Sequence, residues 1–253
     1  MANYLTTFDT YAAYSAATNL DLPNVSIIKE NGKVYYKNLF AGASLGDILM
    51  WDNVNNQLVT TYGGNWNATT YPIAQYEPIA INIYPASAAP DGKSRYMALK
   101  WASNAAATGS TTNVSLMWGK SNLTTSTDET ALNGRANTDA VIAIMPGTSG
   151  NTQAEYPIFY AVNQFYTNGT TAGSWYVPSK GELSLYQANY STINDKITAI
   201  KNASSSIVNT VSSNQWSSSD KNASNAWRLN TNGAWDNNGS KGLNISVRGV
   251  ISL

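Results

Sequence analysis

Gly173-Ser174-Trp175-Tyr176-Val177-Pro178-Ser179-Lys180-Gly181-Glu182-Leu183 is the stretch on which the reading of the fold turns. Ser179 and Glu182 stand at the Ser-x-x-Glu spacing of a capping box, in which two otherwise orphaned backbone donors find side-chain acceptors. A helix therefore starts just after Pro178. Leu183, Tyr186, Tyr190, Ile193, Ile197 and Ile200 then recur every three or four residues. That spacing lines one helical face with apolar side chains and lays the helix against a core. A local break is expected near Ser191-Thr192, where cap-forming and β-branched residues gather.

Upstream, two further helical runs are expected, over Asn137–Ile144 and over about Tyr156–Tyr166. Before them the chain reads as short strands broken by turns. Asp47–Trp51, Leu58–Thr61 and Pro78–Tyr84 are apolar runs, and Arg95–Trp101 alternates with period two, one face wetter than the other. Pro90-Asp91-Gly92 between the last two suggests an antiparallel pair. Asn104–Gly119 and Leu123–Gly134 read as loops. Residues 1–40 read as a separate segment. Phe8, Tyr11, Tyr14 and Leu20 suit one side of a short helix. Val25–Ile28 and Val34–Tyr36 suit a hairpin turning at Asn31-Gly32, since both turn positions tolerate positive φ. An isolated hairpin is marginal in water, so this segment is expected to pack on something else.

Downstream, Trp216-Ser217-Ser218-Ser219, Trp227-Arg228-Leu229-Asn230, Trp235-Asp236-Asn237-Asn238-Gly239 and Ile245–Val250 read as three or four antiparallel strands with Asn-Gly turns. Eight of the 31 asparagines lie between Asn214 and Asn244. So polar a stretch is expected to lie mostly on a surface.

Composition narrows the chemistry. The 253 residues hold 15 basic and 15 acidic side chains and no histidine or cysteine. Disulfides, Cys/His metal sites, thiol nucleophiles and Ser-His-Asp triads are therefore excluded. No basic stripe offers itself to nucleic-acid phosphates. The first twenty residues lack the basic and apolar regions of a secretory signal, and no apolar run is long enough to span a bilayer. Glu182 reads as a cap rather than a general acid, and Gly63-Gly64 lacks the rest of a phosphate-binding loop. Asp52-Asn53 and Asp236-Asn237-Asn238 read as solvated turns before calcium ligands. What replaces charge is Trp (8), Tyr (16) and Asn, residues that meet a partner at small entropic and desolvation cost.

Together, several stretches resemble the C-type-lectin-like domains of the formylglycine-generating-enzyme type. Residues 173–183 resemble their Gly-x-Trp-Tyr-Leu-Pro-Ser-x-x-Glu-Leu signature. Gly46-Asp47-Ile48-Leu49 and residues 134–140 also look like this group. Trp216–Ser219, Ala226-Trp227 and Val247-Arg248 resemble its C-terminal variable region, which diversity-generating retroelements rewrite at template adenines in Bacteroidales and their phages. The resemblance implies an α+β fold: a C-type-lectin-like domain over 46–253 with short antiparallel strands and two to three helices. Residues 1–40 would be an attachment or oligomerisation segment, resembling N-terminal segments of phage and mobile-element proteins from the same hosts.

The copper-binding cysteines of the enzymes and the Glu-Pro-Asn calcium motif of sugar-binding lectins are absent, so neither activity is carried over. The expectation is a non-enzymatic binding protein without cofactor, a tail- or head-fibre component meeting a host cell-surface protein or glycan. The alternative is a capsid or tail decoration protein. Display on the virion surface is expected, or else on a bacterial cell surface, with other virion proteins held by the N-terminal segment. A homo-oligomer, a trimer, follows from resemblance alone. Within the diversifiable stretch 214–248, the expected ligand-facing residues are Asn222, Ser224, Asn225, Trp227, Arg228, Asn230, Asn232, Trp235, Asp236 and Asn237. Trp227 and Trp235 are the expected exposed anchors, Arg228 the charged contact, and the asparagines adjustable hydrogen bonders. Trp175, Pro178 and Trp216 are expected in the scaffold.

Overall fold

The computed structural model describes residues 4–8, 25–30, 33–38, 42–61, 63, 66–120, 125, 127–145, 155–208, 214–231 and 233–253. It is a mixed α+β structure with a curled five-stranded antiparallel half-barrel, small sheets, one of them pairing β8 (Leu116–Met117) with β12 (Asn244–Ile245), and four helices among those residues. The main sheet runs in the order β13 (Val250–Ser252), β7 (Arg95–Ala98), β6 (Tyr76–Tyr84), β4 (Ile48–Asp52) and β5 (Gln57–Thr60). The expected pairing of 78–84 with 95–101 is present, with Ala80 opposite Ala98 and Ile81 opposite Met97.

Both faces of β7 are dry, which corrects the expectation of a wetter face on 95–101. Side chains alternate along a strand. Leu49, Ala80, Tyr96 and Ala98 enter one core with Phe159, Val162, Trp175 and Trp216. Ile48, Met50, Ile81, Ile83 and Met97 enter a second, with Leu183, Tyr186, Ile193, Ile197 and Ile200. Alternation in the sequence therefore marked two cores, not a core and a surface.

The helices follow local rules. α1 (Gly134–Ile144) begins three residues before the expected Asn137, and α2 (Pro157–Gln164) has proline in its first turn, where a missing N–H costs nothing. α3 (Lys180–Ala188) opens on the expected capping box, and α4 (Tyr190–Ala203) carries Ile193, Ile197 and Ile200 into the core. The break between them falls at Asn189, not at Ser191-Thr192. Asn189 leaves helical geometry (φ −120°, ψ 23°) while its amide donates to the Leu185 carbonyl at 3.1 Å.

Glu182 does more than cap. Its Oε2 accepts from the Ser179 N–H at 2.8 Å, and its Oε1 accepts from the Tyr176 hydroxyl at 2.8 Å and from Arg95 Nε at 3.3 Å. It is buried, as are Arg95 and Tyr176.

β1 (Tyr4–Phe8), β2 (Val25–Glu30) and β3 (Lys33–Asn38) form their own antiparallel sheet in the order β1-β3-β2. The expected hairpin strands pair in register, Glu30 opposite Lys33, though the Asn31-Gly32 turn lies outside the described residues. Phe8 belongs to a strand and not to a helix, while Tyr11, Tyr14 and Leu20 lie outside the described residues.

The expectation that the C-terminal stretch sits mostly on a surface fails for β9 (Gln215–Asp220), which is buried throughout. Serine permits this because its hydroxyl is small and finds partners. Ser217 Oγ donates to the Trp227 carbonyl at 2.9 Å, Ser218 Oγ accepts from Asn137 Nδ2 at 3.1 Å, and Ser219 Oγ accepts from the Lys180 N–H at 3.0 Å. Arg248 is also fully buried, stacked 4.0 Å from the Trp101 ring centre.

Replacing Glu182 by Ala should cost about 2–5 kcal/mol, because it leaves Arg95 Nε and the helix-cap N–H of Ser179 without their buried acceptor; urea unfolding reads the loss. Alkali should act through Tyr186, whose hydroxyl is pushed up to about 12, chiefly by burial. Its folded pKa lies above the ordinary tyrosine value of 10.0, so its contribution to stability is complete below pH 10 and lost as pH rises towards 12. Urea midpoints followed across that window should fall, and a flat profile would contradict the assignment.

Candidate functional site

The residues expected to face a ligand lie on a three-stranded antiparallel sheet in which β10 (Asn225–Leu229) runs between β9 and β11 (Trp235–Ser240). The turns are built by asparagine. Asn222 Oδ1 accepts from the Ser224 and Asn225 N–H groups, both at 2.9 Å, which closes the β9–β10 turn. The Asn230 carbonyl accepts from the Gly233 N–H at 2.9 Å, and the Asn230 N–H donates to Ala234 at 2.8 Å, which closes the β10–β11 turn. Asn222 and Ser224 are exposed and Asn225 and Asn230 half-buried. Asn232 lies outside the described residues, as does the side chain of Asn237.

Strand alternation divides the expected set between two faces. Arg228 pairs across the ladder with Asp236, and Leu229 with Trp235. Arg228 meets Asp236 through Nε at 3.0 Å and Nη2 at 2.5 Å, the side chains 20% and 23% exposed. Its charge is thus already answered by a carboxylate. The tryptophans lie on the other face, against α3. Trp227 and Trp235 meet edge to face, ring centres 6.3 Å apart at 89°, and Trp235 Nε1 donates to Gln187 Oε1 at 2.9 Å.

Trp227 is not the exposed anchor expected of it. It is 8% exposed, with the Lys180 ammonium 3.6 Å above its ring centre and that of Lys221 at 5.3 Å. Lys180 in turn pairs with Glu129. The indole is covered because a cation is drawn to the electron-rich ring face. Trp235 remains half-buried. Trp175 and Trp216 are fully buried, as expected of scaffold.

The polar excursion 221–240 closes on a buried ion pair. Lys241 Nζ lies 3.0 Å from Asp220 Oδ1, both side chains without solvent exposure, and Asp220 Oδ2 accepts from the Thr125 N–H at 2.7 Å. Burial pulls the Lys241 ammonium below its usual range, and Asp220 opposes that pull.

Lys180, Gln187 and Lys221 were missed by sequence reasoning. Lys180 stands in the helix-start signature itself, but nothing local marks its partner, Trp227, as lying beneath it. Asn53 is exposed, as the solvated-turn reading expects, but Asp52 ends β4 and is only 2% exposed. Its carboxylate accepts from the Val54 and Asn55 N–H groups and the Asn55 amide, and the Asn55 amide above all holds its pKa below the usual carboxylate value. Among the described residues no three acidic side chains gather as a metal site, and no helix is long and apolar enough to cross a membrane.

No known protein family matches the chain by sequence. No curated protein matches it either. Among solved structures the chain is similar in fold to a fimbrial protein from Bacteroides ovatus ATCC 8483, with a TM-score of 0.54 at 13% identity. The match covers 83% of this chain and 49% of the fimbrial protein, so the chain spans about half the length of that relative.

Lys180→Ala should uncover Trp227 at modest cost, about 1–2 kcal/mol. Acrylamide should then quench more of the tryptophan fluorescence. The increment should vanish when Trp227→Phe is added, since the newly reached indole is then gone.

Proposed function

We propose that the chain is a non-enzymatic, adhesin-like binding module displayed on an external surface, built on a C-type-lectin-like body, with the β9–β10–β11 sheet and its turns as the contact region. One observation carries this reading. The excursion 221–240, whose turn residues 221–224 are exposed, is anchored at its base by the buried Asp220–Lys241 pair, so the exposed side chains can change while the core beneath stays in register. Functional residues on tolerant segments of a rigid scaffold are the usual arrangement of a binding surface. Trp235, Arg228 with Asp236, and the exposed turn residues Asn222 and Ser224 are the contact candidates. Trp227 is a support, held beneath Lys180.

Fold likeness to a Bacteroides fimbrial protein supports display on a bacterial surface. The sequence resemblance to variable proteins of phages supports a second setting, a receptor-binding fibre on a virion. Adenine-directed diversification fits the packing in one respect. Tryptophan and glycine codons carry no adenine in their first two positions, whereas asparagine codons carry two. Trp227 is packed, and a Cβ on Gly239 would lie 2.8 Å from the Ala226 carbonyl oxygen and 2.9 Å from the Trp216 ring. Such a process spares these positions and reaches exposed Asn222.

Labelled full-length chain, applied to bacterial and epithelial cells in flow cytometry, should bind saturably. The triple variant Asn222→Ala, Arg228→Ala, Trp235→Ala should lose about tenfold or more in affinity, as removal of interface hot spots does, with an unchanged circular dichroism spectrum. Undiminished binding by a folded variant would sink the site. Failure of the wild type to bind either cell type would favour the decoration role. Sequencing the locus in related isolates should show substitutions concentrated at adenines between codons 220 and 246; an even spread would remove diversification from the account.

A further inference from the structure

A cleft of about 510 Å³ opens where the turn before β7, the start of α1 and the end of β13 meet. It shares no lining residue with the β9–β10–β11 surface. Its floor is made of the buried Arg95, Tyr176 and Glu182. The inner edge of the Arg95 guanidinium is committed, Nε donating to Glu182. Tyr176 adds a hydroxyl 2.8 Å from both Glu182 Oε1 and Ser252 Oγ. The outer edge of Arg95 is a two-pronged donor. Nη1 and Nη2 meet the two oxygens of Asp91 at 3.2 and 2.8 Å.

Asp91 differs in kind from Glu182. Its side chain is 47% exposed, whereas that of Arg95 is 6% exposed. The carboxylate stands on a surface turn beside Gly92, whose φ is +67° and which has nothing near it. A buried arginine fork thus looks outward and is met by a removable surface carboxylate. The fork is shaped for bidentate carboxylate recognition, while a pair with so exposed a member contributes little to stability.

The rest of the lining says what the carboxylate would be attached to. The cleft is several times larger than a lone carboxylate needs and falls in the range of small-molecule sites. Lys93 and Arg135 add positive charge at the rim, the latter stacked 4.8 Å from the Tyr176 ring centre. Asn133 and Ser252 offer uncharged donors and acceptors, and only Leu132 and Ala136 are apolar. A polyol finds hydrogen-bonding partners on several sides. We propose that this cleft binds a carboxylate-bearing sugar, its carboxylate replacing Asp91 on the outer edge of Arg95.

The replacement gives the test a direction that a structural role for Asp91 lacks, because deleting the internal competitor should tighten binding. Sodium glucuronate titrated into the full chain by calorimetry should bind, with glucose and acetate each about tenfold weaker, the loss expected when one set of hydrogen bonds is missing. Asp91→Ala should tighten glucuronate binding about three- to fivefold, the scale of an exposed ion pair. Asp91→Asn, which keeps an acceptor for the Lys93 N–H, should act in the same direction. Lys93→Ala should weaken binding. Glucose equal to glucuronate would overturn the carboxylate, acetate equal to glucuronate would overturn the sugar, and unchanged or weaker binding in both Asp91 variants would overturn the replacement. Each of these outcomes leaves the cell-binding reading of the β9–β10–β11 sheet standing.

Discussion

The carboxylate of Glu182 is the point at which otherwise distant parts of this chain are joined. One oxygen closes the start of α3, and the other receives Arg95 from β7 and the hydroxyl of Tyr176, which also reaches Ser252 at the end of β13. A buried carboxylate survives only where its lone pairs are filled and a cation stands near. Here the helix cap, the cation and the sheet each supply part of that requirement. Even the spacing of the helices answers to it: a Cβ on Gly134 would lie 2.3 Å from Glu182 Oε2, so α1 can approach this closely only on a glycine. The two cores are held in relation because the same side chain touches the element between them.

How much of this was legible in the sequence depended on how local the cause was. The capping box and the apolar stripe through Ile200 act within a few residues, and both are as expected. The break at Asn189 was misplaced by two residues because a single side-chain amide turning back on Leu185 decided it. The serines of β9 read as surface because their composition is polar, yet their partners, Asn137, Lys180 and Trp227, come from three other elements. Nothing near Ser217 announces them.

The ligand-facing set shows a different kind of miss, one in which the signal was present. Trp227 and Arg228 are neighbours in a strand, and neighbours point to opposite faces. Grouping them as one surface overlooked the same alternation that sends Ala80 and Ile81 into separate cores. The asparagines were misread in both directions: Asp236-Asn237-Asn238, read as a solvated turn, lies inside β11, and Asn222, read as a free hydrogen bonder, already spends its carbonyl on its own turn. A side chain that shapes a loop is only partly available to whatever the loop meets.

The pairing of β7 with β13 carries a consequence for how the molecule comes together. Tyr96 and Met97 lie beside Ile251 and Val250, and Ser94 and Leu253 exchange backbone hydrogen bonds. Until residues 250–253 have been synthesised, one edge of β7 stays unpaired, through the making of α1 to α4 and the whole excursion 221–240. Strands joined across so much sequence close slowly, because chain entropy is lost before the contact is gained. A waiting strand edge is also open to the wrong partner. The nascent chain is therefore open to misassembly from the making of β7 until β13 follows, and a chaperone that shields β7 over that interval would act where the topology leaves the longest delay.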